Sequence, residues 1–202
     1  MPNNGKKVLF VGEPENARPS SDWVFARPDD PSPYGGTWRD HLVLNNVNSL
    51  NRSGLLPAVE LYKKDIYAKL VARFGQAKVY IMSAGWGLVR GDFPLPYYDI
   101  TFAKMNKNQS KEKNIYKFRQ PKDIFHDFCH LSMKLSEQLI FFGSPVYLRH
   151  FVKLTSMYQG ERVVFHGTVA PPRLAGCSWR PHKIRDRYQW PYECAEDFLL
   201  TH

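Results

Sequence analysis

The chain has 202 residues, 43% of them apolar, and its five Trp, eleven Tyr and thirteen Phe supply enough bulk to fill the core of one domain. No apolar run approaches the roughly 18 residues a membrane-spanning helix needs, and the opening MPNNGKKVLFVGE lacks the long apolar centre and cleavage site of a secretory leader. Three cysteines (Cys129, Cys177, Cys194) without CxxC spacing argue against a disulfide framework or a zinc ribbon and point to a reducing cytoplasm, while a formal net charge of +9 calls for a location within the chain.

Taken in chain order, KVLFVGE at 7–13 is a short apolar strand pattern. Residues 14–36, with five prolines and two adjacent glycines, read as one long loop, and 37–50 carry a weak helical pattern. In 58–74 the apolar residues Val59, Tyr62, Ile66, Leu70 and Phe74 recur at spacings of three and four, which predicts one amphipathic helix. KVYIMSA at 78–84 is the second strand, a β-branched and aromatic run that stops at Ser83-Ala84-Gly85. Ile124, Phe128, Leu131 and Leu135 predict a helix over 122–136, QLIFFGS at 138–144 is the third strand, and SPVYLRHFVKL opens a helix with Ser144 at the N-cap and Pro145 in the first turn. RVVFHGT at 162–168 is the fourth strand. Strands alternating with helices predict a single α/β domain over 1–202, with a central, mostly parallel four-stranded sheet flanked by helices.

The charge is concentrated. Residues 104–122 carry a net +6 and residues 180–187 a net +3, which is the whole excess. The first is a basic loop that includes Lys104, Lys107, Lys111 and Lys113, interleaved with Tyr116 and Phe118. The second lies in a basic, aromatic C-terminal segment of about 171–202, with Arg180, Lys183, Arg185 and Arg187 among Trp179, Tyr188 and Trp190. Positive charge binds phosphate and ring faces stack on unpaired bases, so DNA is the expected partner, with Arg90 as a further contact.

All four strand patterns end in small residues: Gly12-Glu13, Ser83-Ala84-Gly85, Gly143-Ser144 and Gly167-Thr168. In an open parallel sheet ligands bind beyond the carboxyl ends of the strands, and small residues there would keep that edge open for a shared pocket.

VLFVGEPEN is similar to the first motif of the uracil-DNA-glycosylase-like superfamily, and LIFFGSP and VVFHGTVAPP resemble that superfamily's later strands with their pocket-lining loops. YIMSAGWGLVRGDFPLPYYD resembles the signature of the YaaA-like proteins, DNA-binding relatives of the glycosylase-like folds. Overall size and the expected DNA chemistry are also similar to those of small phage-defence DNA glycosylases that remove glucosylated hydroxymethylcytosine. These resemblances imply a uracil-DNA-glycosylase-like fold and a hydrolase that cleaves the N-glycosidic bond of a modified base, in phage DNA, leaving an abasic site. No Asp-Pro-Tyr follows Glu13, so ordinary uracil excision is not expected. A non-catalytic YaaA-like DNA-binding stress protein, or an enzyme that cleaves or transfers free nucleosides or nucleotides, is the alternative.

Breaking an N-glycosidic bond builds positive charge on the sugar, which calls for a carboxylate to stabilise it or to activate water. Asp99 is the first candidate and Glu13 the second, with Asn16 as a polar partner of Glu13. An extruded base must be sandwiched and read along its edge. Trp86, Tyr97 and Tyr98 offer rings; Ser83, Ser144 and His166 offer hydrogen bonds. His126 and His130 stand at i and i+4 of the helix expected over 122–136, but with no third ligand indicated they read as a partly exposed helical face, and no metal or other cofactor is assigned.

Overall fold

The structure is a computed structural model that describes residues 6–10, 24–44, 54–62, 65–98, 100–101, 117–118, 129–134, 137–143, 145–167, 176–186 and 189–201. It is an α/β fold built on one six-stranded sheet. From the N-terminus come β1 (Lys6–Phe10), α1 (Trp38–Leu44), the two-residue β2 (Leu56–Pro57) and α2 (Asp65–Phe74). Then follow β3 (Val79–Ser83), β4 (Gly87–Arg90) and three short pieces, β5 (Pro94–Leu95), β6 (Ile100–Thr101) and β7 (Lys117–Phe118). The last part holds β8 (Gln138–Phe142), α3 (Pro145–Leu154), β9 (Arg162–His166), β10 (Cys177–Pro181) and α4 (Trp190–Thr201).

The spatial order is β10-β9-β8-β1-β3-β4. The first five strands of that order are mutually parallel, and β4 pairs antiparallel to β3. The four expected strands are β1, β3, β8 and β9. The sheet has six members because β4 and β10 extend it at either end. Neither extra strand shows a long apolar run: β10, CSWRP, is an edge strand only partly covered, so its pattern is mixed.

Two consecutive rings on β8 show how the layers form. Side chains alternate across a strand. Phe141 therefore stacks on Phe151 of α3 (4.3 Å between ring centres), while Phe142 meets Phe165 and, from α4, Phe198 (5.2 and 5.4 Å). Phe198 also stacks on Phe74 of α2, and Lys69 of α2 bonds Glu196 of α4 at 2.8 Å. Thus α2 and α4 cover one face and α3 the other, with Leu139, Ile140, Val79 and Ile81 buried between them.

Two helix expectations change. The stripe over 58–74 is interrupted: Ala58–Leu61 form a 3-10 turn, Tyr62 is extended (φ −113°, ψ 127°), and α2 starts at Asp65. The turn is held by the backbone of the loop after β4, with Ala58 N–H on Phe93 carbonyl (2.9 Å) and Val59 N–H on Gly91 carbonyl (3.1 Å). The described part of 122–136 is not helical. Cys129 forms a parallel bridge with Leu88, and His130 N–H bonds the Leu88 carbonyl at 2.9 Å, so the chain lies extended along β4. His130 is therefore not on a helix, and its i, i+4 relation to His126, which lies outside the described residues, loses its basis. By contrast, the weak 37–50 pattern does yield α1, started by a capping box in which Thr37 and Asp40 exchange side-chain to backbone bonds of 3.0 and 3.2 Å.

Candidate functional site at the carboxyl edge of the sheet

In chain order the five parallel strands run β1, β3, β8, β9, β10, yet β1 sits between β3 and β8. The chain first steps from β1 to β3 on one side, then returns to the other side of β1 and proceeds outward. Such a reversal is the switch point of a doubly wound sheet, where the connections diverge to opposite faces and leave a crevice at the carboxyl ends. Here it lies between β1 and β8. α3 begins at Pro145, so its N-terminal amides lie at the same edge.

The most developed feature of this edge is a set of tyrosines. Tyr67, Tyr147 and Tyr192 are each the third residue of their helix, in α2, α3 and α4, and each of those helices starts at the carboxyl edge. The Tyr67 ring stacks on Tyr62 at 5.1 Å, and its buried hydroxyl lies within electrostatic reach of Tyr192, Tyr98 and Tyr147. Tyr62 and Tyr98 approach oxygen to oxygen at 2.6 Å, and Ser83 at the end of β3 donates to the Tyr98 hydroxyl at 2.8 Å. Burial, reinforced by the neighbouring phenols, pushes Tyr62 and Tyr67 well above the ordinary tyrosine range, and burial pushes Tyr98 up to about 12 against the opposing bonds from Ser83 and Tyr62. At neutral pH all are neutral hydroxyls that donate and accept hydrogen bonds. They do not suit proton abstraction; Tyr62, Tyr67, Tyr98 and Tyr147 are buried, and Tyr192 is the partly exposed member of the set.

Ser83 has a further role. Its oxygen accepts the backbone N–H groups of Gly85 (3.2 Å) and Trp86 (2.9 Å), which turns the chain from β3 into β4. The stop at Ser83-Ala84-Gly85 is thus a hairpin turn. Trp86, expected as an open stacking platform, is 1% exposed and belongs to the core, because this turn folds its ring inward. Tyr98 is likewise 1% exposed and acts through its hydroxyl. Tyr97 is buried; its backbone exchanges hydrogen bonds with Val24 and Ala26 (2.9 and 3.0 Å) and its ring tilts against Phe25.

At the ends of β8 and β9 the glycines also have packing reasons. A Cβ on Gly143 would lie 2.3 Å from the Phe141 ring, and one on Gly167 would lie 2.2 Å from Ile184. The protein's own side chains take the space that the sequence pattern assigned to a ligand. His166 remains half-buried at the end of β9, with Nδ1 2.9 Å from the Gly167 carbonyl oxygen and its ring edge-on to Trp179 at 6.1 Å. Its backbone carbonyl accepts His182 N–H at 2.8 Å, which continues the β9–β10 pairing past the strand ends.

The basic residues divide by position. Arg180 and Lys183 are exposed at the carboxyl end of β10, on the same edge as His166. Arg185 is held by Asp197 of α4. Arg90 does not belong to this group: β4 runs antiparallel and pairs Arg90 with Tyr80, which puts it toward the opposite end of the sheet, where its guanidinium bonds Asp92 at 2.5 Å. Asp99, Glu13, Asn16, Ser144, Lys104, Lys107, Lys111, Lys113 and Arg187 lie outside the described residues.

Sequence reasoning missed Tyr62, Tyr67, Tyr147 and Tyr192 as site residues. The signal for the last three was a tyrosine at the third position of a helical segment, in DIY, PVY and WPY; Tyr62 had none of this kind.

Fold and edge together define a doubly wound α/β protein with a cluster of tyrosine hydroxyls, most of them buried, toward the carboxyl edge of its sheet. No protein-family model matches the chain, and neither the curated proteins nor the solved structures contain a match to it. Among the described residues no helix is long and apolar enough to cross a membrane, and no group of three His, Cys, Asp or Glu side chains is placed to hold a metal ion.

Proposed function

We propose that this protein is a DNA glycosylase of uracil-DNA-glycosylase-like type, acting on a bulky modified base such as phage DNA carries. The observation that supports this reading most is the convergence of neutral tyrosine hydroxyls at the carboxyl edge, on the same edge as exposed Arg180 and Lys183. A base extruded from the duplex needs its edge read by groups that both donate and accept, and the strand it leaves needs positive charge. In this reading the base is read by Tyr192, the partly exposed member of the phenol set, and by the half-buried His166. The basic residues bind phosphate.

The reaction requires a carboxylate, and Asp99 directly follows Tyr98 in the chain. Water attacks the sugar C1′ as the bond to the base nitrogen breaks. The carboxylate of Asp99, or of Glu13, stabilises the sugar cation and takes the proton from water, while the base departs with the bonding electron pair and is protonated. The test is single-turnover abasic-site formation on unmodified and hypermodified phage DNA, revealed by alkali. Asp99→Asn should slow turnover by roughly two or more orders of magnitude while DNA binding persists. Normal rates in both Asp99→Asn and Glu13→Gln would refute this mechanism, and no strand breaks on any substrate would refute the activity.

A further inference from the structure

The six-stranded sheet has two edges, β4 and β10, and they are finished differently. At β4 the edge is covered by Cys129 and His130, through the Leu88–Cys129 bridge and the His130 N–H bond to the Leu88 carbonyl at 2.9 Å. At β10 the ladder shows which groups are used. Arg162 N–H bonds the Gly176 carbonyl at 3.1 Å and His182 N–H bonds the His166 carbonyl at 2.8 Å, so Gly176, Ser178, Arg180 and His182 turn their backbone toward β9. Cys177, Trp179 and Pro181 turn theirs outward. Among the described residues nothing bonds the outward N–H groups of Cys177 and Trp179. Pro181 has no N–H and adds an acceptor.

This outward pattern is complementary to itself. Laid antiparallel to a second β10 with Trp179 facing Trp179, the two tryptophans exchange N–H and carbonyl, and each Cys177 N–H meets the carbonyl of the other copy's Pro181. Both outward N–H groups of each strand then have acceptors, and only the Cys177 carbonyl, opposite the proline nitrogen, is left to water. The same register sets Arg180 of each copy directly opposite Ser178 of the other, on one face of the sheet. Ser178 donates to the exposed Glu161 carboxylate at 2.5 Å, and the second carboxylate oxygen accepts Gln138 at 2.7 Å, so a fixed negative charge waits beside that position. Arg180 is exposed and, among the described residues, makes no ion pair within its own chain.

We infer that the β10 edge binds a second copy of this chain, as a two-fold antiparallel strand pair that continues the sheet from one protomer into its partner and is closed at each end by an Arg180–Glu161 ion pair. The contact is short, so the dimer is weak, with a Kd of about 10–100 µM in about 150 mM salt, which screens the net charge of +9 on each chain. The test uses no DNA, so this inference and the glycosylase reading can fail separately. Arg180 is shared between them: the dimer holds it on Glu161 and the monomer offers it to phosphate, so its DNA contact is measured at protein concentrations far below the dimer Kd. Sedimentation velocity of the full chain in reducing buffer, from about 1 to 300 µM, should show a reversible monomer–dimer equilibrium. Trp179→Pro removes an outward N–H and no bond to β9, and should weaken association roughly ten-fold or more with the fold checked by its melting curve. Arg180→Glu and Glu161→Arg each set like charges against each other and should be monomeric alone, whereas their equimolar mixture, in which both contacts again join opposite charges, should dimerise about as well as the wild type. If Glu161→Arg unfolds, Arg180→Glu and Trp179→Pro decide. A wild-type chain that stays monomeric throughout, association that Arg180→Glu or Trp179→Pro leaves unchanged, or two folded charge variants that fail to associate when mixed would overturn the assignment.

Discussion

Ser83→Ala is the most informative single substitution outside the reacting groups. The serine is 2% exposed, and its oxygen makes three contacts: it accepts N–H from Gly85 and Trp86 and donates to Tyr98. Gly85 and Trp86 are themselves buried, so water cannot replace the lost acceptor without opening the turn. Leaving one buried amide unsatisfied costs about 1–3 kcal/mol, and the donated bond to Tyr98 is worth about 1 kcal/mol more. The two amides share the lone pairs of one oxygen that also donates to Tyr98, and the Gly85 bond is long at 3.2 Å, so the smaller end of the range applies to each. The total is about 3 kcal/mol. For a chain of this length that lowers Tm by about 6–12 °C. Urea unfolding monitored by tryptophan emission reads both the free energy and the Trp86 environment. Tyr98→Phe, which keeps the Ser83 oxygen on both amides but loses the contacts to Ser83 and Tyr62, should cost about 2 kcal/mol, and the double variant should be less than additive. A loss below about 1 kcal/mol for Ser83→Ala, as for an exposed turn serine, would refute the reasoning that this hydroxyl closes the β3–β4 turn.

On the DNA-binding side, Arg180→Gln and Lys183→Gln should each reduce the salt dependence of binding by about one unit of slope, whereas Arg185→Gln should change it less because Asp197 already holds that guanidinium; equal losses in all three, measured by anisotropy across salt concentrations, would contradict the division. Gly91→Ala places a Cβ 2.7 Å from Val59 and 3.0 Å from the Val79 carbonyl oxygen, and should cost about 1–3 kcal/mol in chemical unfolding, partly recovered in a Val59→Ala background. His130 is held below its ordinary 6.5 by burial and then by the Arg90 charge, and its Nδ1 accepts the Arg90 N–H at 3.1 Å, which requires an unprotonated nitrogen. The unfolded chain then binds the extra proton first, so this stability is fully present above about pH 6.5 and is lost as the pH falls from there toward the folded value. His130→Gln should flatten the fall in urea midpoint between neutral and mildly acid pH; an unchanged slope would remove the assignment.

The alternation of apolar runs with periodic segments was enough to read an α/β fold and four of the strands, because a strand buried on both faces must be apolar throughout and a covering helix must be striped. Both are local properties, written where they act. β10 escaped since an edge strand is covered on one flank only, and β4 because its direction depends on a hydroxyl, Ser83, that reverses the chain within three residues. The helical stripe over 58–74 was real in period and broken in fact, because the loop after β4 supplies backbone acceptors that compete for Ala58 and Val59.

The candidate site divides the same way. Composition placed the positive charge and named Arg180 and Lys183, since an exposed side chain keeps its charge wherever the fold carries it. Whether a ring or hydroxyl is offered or enclosed was not legible. Trp86 and Tyr98 sit in the sequence stretch that most invites a functional reading, and both are sealed in the core; Tyr67, Tyr147 and Tyr192 open three helices far apart in the chain and come together only because those helices start at one sheet edge. The sequence by itself determined what each segment had to bury. Only the tertiary structure decided which hydroxyls meet, because their partners lie from 15 to 36 residues away along the chain in the Ser83–Tyr98–Tyr62 contacts, and no local pattern encodes a contact made across a fold.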